Sequence, residues 1–244
     1  MGCIGKVALV TGAAGGGMGR STALTLAREG ARVVVNYRSS RQAAEAVVGQ
    51  IRAGGGDALA VGADIAREDG CRALVGAAVA QYGQVDICVV GPGGGWHPQP
   101  ADRLAPEDGL SDLHAEVAPL YYLMPLLLPA MYERQWGRVV AIGLHPGHPS
   151  PAYAYNVAKA ARAQALLLAK DQAWAHGVTV NVIAPGPVAA LDGLPAAVEQ
   201  CDQGAAWRQR TNVSPQDVAE GVAFLCSEAG RFITGCVLPY AFNR

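Results

Sequence analysis

The chain has 244 residues, of which 51% are hydrophobic, so it is long enough to bury one large core. These values exclude an intrinsically disordered chain and a disulfide-stapled miniprotein. Nineteen basic and twenty acidic residues leave a formal net charge of −1, which argues against nucleic acid or an anionic membrane as a partner. The six cysteines are scattered and form no C-x-x-C pair. They predict free, buried thiols in a reducing compartment and no metal site.

No apolar run reaches the roughly 18 to 20 residues that are needed to span a bilayer. The first residues also lack a signal-peptide cleavage pattern and the serine or threonine of a myristoylation signal. We therefore expect a cytoplasmic protein.

Short apolar runs alternate with longer segments rich in alanine and leucine along the chain. The short runs predict strands at 7–10, 33–35, 58–61, 87–90, 139–142 and 178–183. The longer segments predict helices at 19–30, 40–53, 68–82, 106–134, 152–176 and 215–227, several of them closed by a glycine: Gly30, Gly54, Gly83 and Gly177. Continuous apolar strands are buried on both faces. The alternation therefore predicts an α/β fold, a doubly wound, Rossmann-like parallel sheet with helices on both faces.

No internal repeat and no linker divides the chain, so a single domain is expected over residues 1–244. The region 184–213 interrupts the alternation with three prolines and three glycines. Such a segment is typical of a mobile lid over a binding site. A plain surface excursion explains it nearly as well.

The first predicted strand leads into the glycine-rich sequence TGAAGGGMGR, and a helical pattern follows at once. Glycines there let backbone N–H groups approach a phosphate at the positive end of a helix. The candidate cofactor-binding residues are Gly12, Gly17, Met18 and Gly19. A glycine run alone is often an ordinary turn. At the strand-to-helix junction of the first β-α-β unit it favours dinucleotide binding.

The stretch GKVALVTGAAGGGMGRSTALTLAREGARVVV resembles the opening of the short-chain dehydrogenases/reductases, and the resemblance continues to the ITG at 233–235. It is greatest to the 3-oxoacyl-thioester (acyl-carrier-protein) reductase branch, through VVVNYRSS at 33–40. The resemblance implies hydride transfer between a nicotinamide cofactor and a carbonyl or alcohol substrate. The loop of the family is T-G-x-x-x-G-x-G, and the loop of this chain is one residue longer.

Asn36, Arg38 and Ser39 stand at the end of the second predicted strand, where a carboxylate would bind the ribose of NAD. No acid is present, and Arg38 with Ser39 suits the 2′-phosphate of NADP. We therefore expect NADP(H) rather than NAD(H), with a solvated arginine as the alternative. The resemblance places Asp64 and Ile65 at the adenine, whereas Asp64 by itself is also a candidate helix N-cap.

Tyr155 and Lys159 form a Y-x-x-x-K pattern and so lie on one face of a helix. An ammonium group one turn away is expected to lower the pKa of the tyrosine hydroxyl. The pattern is common by chance on helices, but its position directly after the fifth strand is more specific. The resemblance implies that Tyr155 is the general acid/base, that Lys159 tunes it and holds the nicotinamide ribose, and that Pro185 and Gly186 bend the chain around the nicotinamide.

The chain departs from the family after the fifth predicted strand. Leu144 stands where the family usually has a serine that hydrogen-bonds the substrate oxygen. His145 is adjacent and is a candidate replacement donor, and the alternative is a loop histidine without a role. The segment before Tyr155 is about two residues shorter than usual, so Ser150 or Tyr153 is another candidate.

Three other positions of the family pattern also differ. Val90 and Gly91 begin a V-G-P-G segment where the family has N-N-A-G, and both remain candidate cofactor contacts. Glu116 aligns with an asparagine whose backbone carbonyl, in the family, holds the water that leads to the catalytic lysine. Glu116 is expected to pair with Lys159, to relay a proton, or to face solvent. Ala190 replaces a threonine that contacts the cofactor.

Three functions follow from this mixture of kept and altered motifs. The first is an NADP(H)-dependent carbonyl reductase or alcohol dehydrogenase acting on a small molecule. The second is a non-redox enzyme that uses Tyr155 with His145 or Glu116 for dehydration, epimerisation or cyclisation. The third is a regulatory protein that binds NADP(H) without turnover. Trp96 and Trp207 are candidates for contacting the substrate or for plain packing.

The two long apolar helices, 106–134 and 152–176, predict a homo-oligomer. Their leucines exceed what one sheet face covers, although simple core packing is the alternative. The resemblance implies a dimer interface on these helices and a tetramer through the C-terminal strand, 232–240. A homotetramer is therefore expected.

Overall fold

The computed structural model describes residues 2–91, 93, 97–145, 152–205, 210 and 212–240. Its strands are β1 (Val7–Val10), β2 (Arg32–Tyr37), β3 (Ala58–Gly62), β4 (Ile87–Val90), β5 (Gly137–Ile142), β6 (Val178–Pro185) and β7 (Val237–Tyr240). Its helices are α1 (Met18–Arg28), α2 (Arg41–Ala53), α3 (Glu68–Tyr82), α4 (Pro106–Glu133), α5 (Tyr153–Leu167), α6 (Lys170–Trp174), α7 (Gly193–Gln203) and α8 (Pro215–Cys226). A short 3₁₀ helix covers Glu228–Gly230.

The seven strands form one parallel sheet in the order β3-β2-β1-β4-β5-β6-β7. Every residue of β1, β4, β5 and β6 is buried. One apolar core lies between the sheet and α1, α2 and α8, and the other lies between the sheet and α3, α4 and α5. The predicted doubly wound, Rossmann-like fold is confirmed.

Because all strands are parallel, their carboxyl ends meet at one edge of the sheet, where polar side chains fix the chain. The Thr11 hydroxyl, just after β1, donates to the Val89 carbonyl at 3.1 Å and accepts from the Gly91 N–H at 3.0 Å. This single buried hydroxyl thereby ties the end of β1 to the turn that follows β4.

Three predicted elements differ from the structure. The predicted helix 152–176 is divided into α5 and α6, and the C-terminal strand begins only at Val237. The region 184–213, predicted as irregular, contains α7, whose Cys201 thiol lies 3.8 Å from the Thr25 hydroxyl of α1. The helix α2 ends at Ala53 as expected, with Gly54 as its C-cap residue, and the left-handed residue is the next one, Gly55 (φ 83°).

Most of the leucines that were expected to cover an oligomer interface belong to the core instead. Leu123, Leu127 and Leu166 are buried against the sheet, as simple packing requires. The apolar side chains left exposed are Leu110, Tyr121, Tyr153 and Val157 on α4 and α5, together with Leu168, one of the expected leucines, at the C-cap of α5.

The cysteines of the chain are free, and all but the half-buried Cys236 are buried. Within the described ranges, no helix is long and apolar enough to cross a membrane, and no cluster of three or more potential ligands suits a metal ion. Trp96, Ser150 and Trp207 lie outside the described residues.

We expect Thr11→Val to lower the free energy of unfolding by about 1–3 kcal/mol, because it leaves the buried Gly91 N–H without its acceptor. Equilibrium unfolding in urea measures this loss. Thr11→Ser keeps the hydroxyl and is the matched control. Equal stability of the two variants would contradict the role given to this hydroxyl.

Candidate active site at the carboxyl edge of the sheet

The glycine loop after β1 leads directly into the first turn of α1. Its N-cap residue, Gly17, offers no side-chain hydrogen bond to the N–H groups of that turn. A Cβ at Gly19 would lie 2.6 Å from the Gly12 carbonyl, so the close approach of helix and loop requires glycine there. Gly15 and Gly16 are exposed and have open space around them. This open helix N-terminus suits a phosphate group.

Arg20, in the first turn of α1, is a residue that the sequence motifs did not single out. Its side chain is buried, and burial lowers the pKa of its guanidinium group. Neither its Nε nor its Nη2 atom has a hydrogen-bond partner among the described residues. A buried cation favours an anion beside it, so Arg20 is suited to contact a cofactor that carries phosphate groups.

Asn36 is placed differently from its predicted role as a cofactor contact. The side chain is only 2% exposed, its Oδ1 accepts from the Gly12 N–H at 3.1 Å, and its Nδ2 donates to the carbonyls of Val61 and Ala63. Since these bonds occupy its polar atoms, Asn36 braces the glycine loop against β2 and β3.

The other residues predicted around the adenosine half lie at the same edge. Arg38 and Ser39 are exposed after β2, where they are free to meet a ligand from solvent. Asp64 follows β3, and its Oδ1 accepts from the Ala66 N–H at 3.0 Å in a local turn. Asp64 is not a helix N-cap, because α3 begins at Glu68 with Arg67 as its N-cap residue.

The structure brings Tyr155, Lys159 and Glu116 together at the carboxyl ends of β4 and β5. The Lys159 Nζ lies 3.1 Å from the Glu116 Oε2, and it donates to the carbonyl of Ile142 at 3.5 Å. It also lies 5.3 Å from the centre of the Tyr155 ring. Glu116 and Lys159 are both buried, so the expected pairing of these two residues is observed and a solvent-facing Glu116 is excluded.

Arg162 completes this cluster and was not predicted from the sequence, although it lies seven residues after Tyr155 on the same helical face. Its side chain is fully buried. Its Nε lies 2.9 Å from the Glu116 Oε2 and donates to the Glu116 carbonyl at 2.8 Å. Its Nη1 donates to the carbonyls of Gly91 and Ile142 at 2.9 and 3.3 Å.

The pKa of Tyr155 is raised, whereas the sequence led us to expect a lowered value. Burial is the main cause, the Glu116 carboxylate adds to it, and Arg162 opposes it. Burial also lowers the pKa of Lys159 to about 8, helped by the charge of Arg162 and opposed by Glu116. The prediction neglected the loss of hydration and the charge of the Glu116 carboxylate.

Leu144 and His145 follow β5 and line a cavity of about 360 Å³ together with Lys159 and Asn156. The His145 N–H donates to the Pro185 carbonyl at 3.0 Å, which fixes the two predicted loops against each other. Pro185 ends β6, and the Gly186 N–H donates to the Tyr240 carbonyl at 2.9 Å. Tyr153 is about half exposed on α5.

A His/Asp pair also lies near this site, and the sequence analysis did not predict it. The His97 Nδ1 lies 3.0 Å from the Oδ1 of the buried Asp112, one helical turn before Glu116 on α4. This hydrogen bond raises the pKa of His97. The pair holds the segment after β4 to α4, and the Gln99 carbonyl there accepts from the Tyr153 N–H at 3.2 Å.

Comparison with known proteins agrees with this geometry. Residues 12–240 match a family model described as enoyl-(acyl carrier protein) reductase. The chain belongs to the short-chain dehydrogenase/reductase family. An uncharacterized oxidoreductase of Methylorubrum extorquens is 33% identical over 96% of this chain and 95% of its own. A 3-oxoacyl-[acyl-carrier-protein] reductase of Staphylococcus aureus is 32% identical over 94% of both chains.

A versicolorin reductase of Emericella nidulans is 31% identical over 96% of this chain and 93% of its own. The crystal structure of a metagenomic short-chain oxidoreductase in complex with NADP superposes with a TM-score of 0.80, at 26% identity and 99% coverage of both chains. This short-chain dehydrogenase/reductase is thus an oxidoreductase of the nicotinamide-dependent kind, similar to the 3-oxoacyl-[acyl-carrier-protein] reductases.

In this short-chain dehydrogenase/reductase, Arg162→Leu is expected to lower the free energy of unfolding by at least about 3 kcal/mol. The carbonyls of Gly91 and Glu116 lose the Arg162 donor at roughly 1–3 kcal/mol each, the Ile142 carbonyl keeps only the 3.5 Å bond from Lys159, and the buried Glu116 carboxylate loses one of its two cations. Urea denaturation measures the loss. Arg72→Leu, which removes only an exposed bridge to Glu68, is the matched control, with an expected cost below about 1 kcal/mol. Similar costs for both variants would contradict the buried role of Arg162.

Proposed function

We propose that the protein is an NADP(H)-dependent oxidoreductase that transfers hydride between the nicotinamide and a carbonyl or alcohol substrate. The observation that carries this proposal is the placement of Tyr155 and Lys159 beside the ends of β4 and β5, at the edge where the glycine loop meets α1. The names of the relatives, which are reductases of 3-oxoacyl thioesters and of versicolorin, favour a carbonyl compound as the substrate.

Tyr155 is proposed as the general acid/base. The cofactor, when bound, supplies or accepts the hydride. Because the pKa of Tyr155 is raised, its hydroxyl keeps its proton at neutral pH and is ready to donate it to a carbonyl oxygen. In the reductive direction this donation converts the substrate into an alcohol. Lys159 is proposed to hold the nicotinamide ribose and to restore the proton of Tyr155.

The preference for NADP(H) is supported by charge at two places. Arg38 and Ser39 are exposed at the end of β2, and no carboxylate stands at this strand end. This arrangement suits a 2′-phosphate. Arg20 offers a second, buried guanidinium at the first turn of α1, close to where the glycine loop would bind the pyrophosphate. Gly12, Gly17, Met18 and Gly19 form that loop, and Asp64, Ile65, Val90, Gly91, Pro185 and Gly186 are the proposed contacts along the rest of the cofactor.

The polarisation of the substrate oxygen is proposed to differ from that of the family. Leu144 provides no hydrogen bond where the family usually has a serine. His145, adjacent and partly exposed in the cavity beside Lys159, is the proposed replacement. Because the serine and the N-N-A-G segment of the family are replaced at this edge, a non-redox reaction is the alternative. In that reaction Tyr155 would transfer protons together with His145 or Glu116.

We also propose that copies of the chain associate, as a dimer or tetramer. The exposed apolar side chains Leu110, Tyr121 and Val157 on α4 and α5 support an interface on this face. The outer strand β7 leaves Val237 exposed at the edge of the sheet, which supports a second interface. The segment 184–213, including α7, is the proposed substrate lid.

The experiment that tests the function is a fluorescence titration with NADPH and NADH, followed by a panel of ketones and 3-oxoacyl thioesters. We expect NADPH to bind more tightly and to be oxidised, with Tyr155→Phe losing about 10²–10⁴ of the rate while it still binds NADPH. The phenyl ring keeps the packing and removes only the proton. Binding without oxidation in the unmodified protein would favour the non-redox or regulatory function.

Arg38→Ala is expected to weaken NADPH binding by about 10-fold to 100-fold, since a hydrogen bond to a charged group contributes about 1.5–3 kcal/mol. NADH binding should not change, because NADH has no 2′-phosphate. Arg41→Ala is the matched control, as Arg41 is exposed on the adjacent helix and pairs with Glu45. An equal effect of Arg38→Ala on both nucleotides would argue against this specificity.

A further inference from the structure

Lys159 and Arg162 lie against the same carboxylate oxygen and donate to the same carbonyl inside the protein. The Glu116 Oε2 lies 3.1 Å from the Lys159 Nζ and 2.9 Å from the Arg162 Nε. The Ile142 carbonyl accepts from Lys159 at 3.5 Å and from the Arg162 Nη1 at 3.3 Å. Any movement of Arg162 therefore changes the acceptors that remain for Lys159.

The charges of this cluster do not cancel when all three groups are ionised. One carboxylate faces two buried cations, which leaves one positive charge in the interior. An arginine keeps its proton in proteins, so the cluster can become neutral only when Lys159 releases its own. Among the residues that the structure describes, the other titratable groups around Lys159 are Tyr155 on the same helix and His145 on the segment that follows β5.

The chain also makes room for the carboxylate. A Cβ at Gly93 would overlap the carboxylate of Glu116, so this position has space for the glutamate only because it carries glycine. The carboxylate is therefore held on one side by the turn after β4 and on the other by the two cations of α5.

We propose that Glu116 and Arg162 form one internal ion pair that positions Lys159 and sets whether its amine carries a proton in the active site. Arg162 is thus a positioning residue that acts through Glu116 and through the carbonyl of Ile142. This inference rests on the proposed function for its catalytic consequence, but the state of Lys159 is measurable without turnover. The lowered pKa of Lys159, about 8, agrees with a cluster in which two cations compete for one carboxylate.

The test is an NMR titration of the full chain labelled with [ε-¹³C]lysine. The chain has three lysines, Lys6, Lys159 and Lys170, so three signals are expected. Lys6→Arg and Lys170→Arg assign the signals without touching the site. The unmodified protein should show a Lys159 midpoint near pH 8.

Glu116→Gln should lower the Lys159 midpoint by about 1 pH unit or more, because the charge that favours the ammonium is lost while the shape is kept. Arg162→Gln should raise it, since a competing cation is removed and an amide donor remains. Glu116→Gln/Arg162→Gln should return the midpoint toward that of the unmodified protein. Gly93→Ala, which displaces the carboxylate without removing a charge, should shift the midpoint in the direction of Glu116→Gln.

Lys6 and Lys170 provide internal controls in every spectrum. Arg28→Gln is the matched control for Arg162→Gln, because it removes an arginine that pairs with Glu220 on the other side of the sheet. If Arg162→Gln does not fold, Glu116→Gln and Gly93→Ala decide the matter alone. A Lys159 midpoint that is unchanged in these variants overturns the proposal. Shifted midpoints in a protein that never oxidises NADPH would support the ion pair and reject the proposed function.

Discussion

Burial of the central strands on both faces is the constraint on which the rest of this structure depends. A strand such as β1 or β4 has no position for a polar side chain, because each of its side chains packs into one of the two cores. The candidate site therefore lies at the carboxyl edge, where parallel strands end and loops begin. The glycine loop, Tyr155, Lys159 and the cavity beside His145 all lie at that edge for this reason.

The same edge carries an unusual amount of buried charge. Arg162 satisfies three carbonyl groups where β4, β5 and α4 approach one another, and Glu116 provides a counter-ion for it and for Lys159. Buried ion pairs lose their hydration, so they rarely increase stability over apolar packing. Their position beside Tyr155 fits a role in holding Lys159 in place and in setting its protonation state.

Secondary structure was predictable wherever it depends on residues that are close together in the sequence. The apolar runs marked six of the seven strands, and glycines with positive φ end helices at Gly30, Gly83 and Gly177. The failures concern segments whose conformation depends on distant partners. The helix α7 has mixed polarity and forms against α1, where Cys201 meets Thr25, and no local pattern announces that contact. The break between α5 and α6 was hidden because alanine and leucine continue across it.

The sequence by itself determined the doubly wound fold, the position of the glycine loop and the Tyr155/Lys159 pair on one helix, because each depends on spacing along one or two adjacent elements. It also identified Glu116 as a departure from the family, but left its role open. Only the tertiary structure decided that Glu116 is buried, that Arg162 shares its carboxylate with Lys159, and that Asn36 braces the loop. The pKa of Tyr155 was decided there too, because burial and the charges of α4 and α5 act through space and leave no trace in sequence spacing.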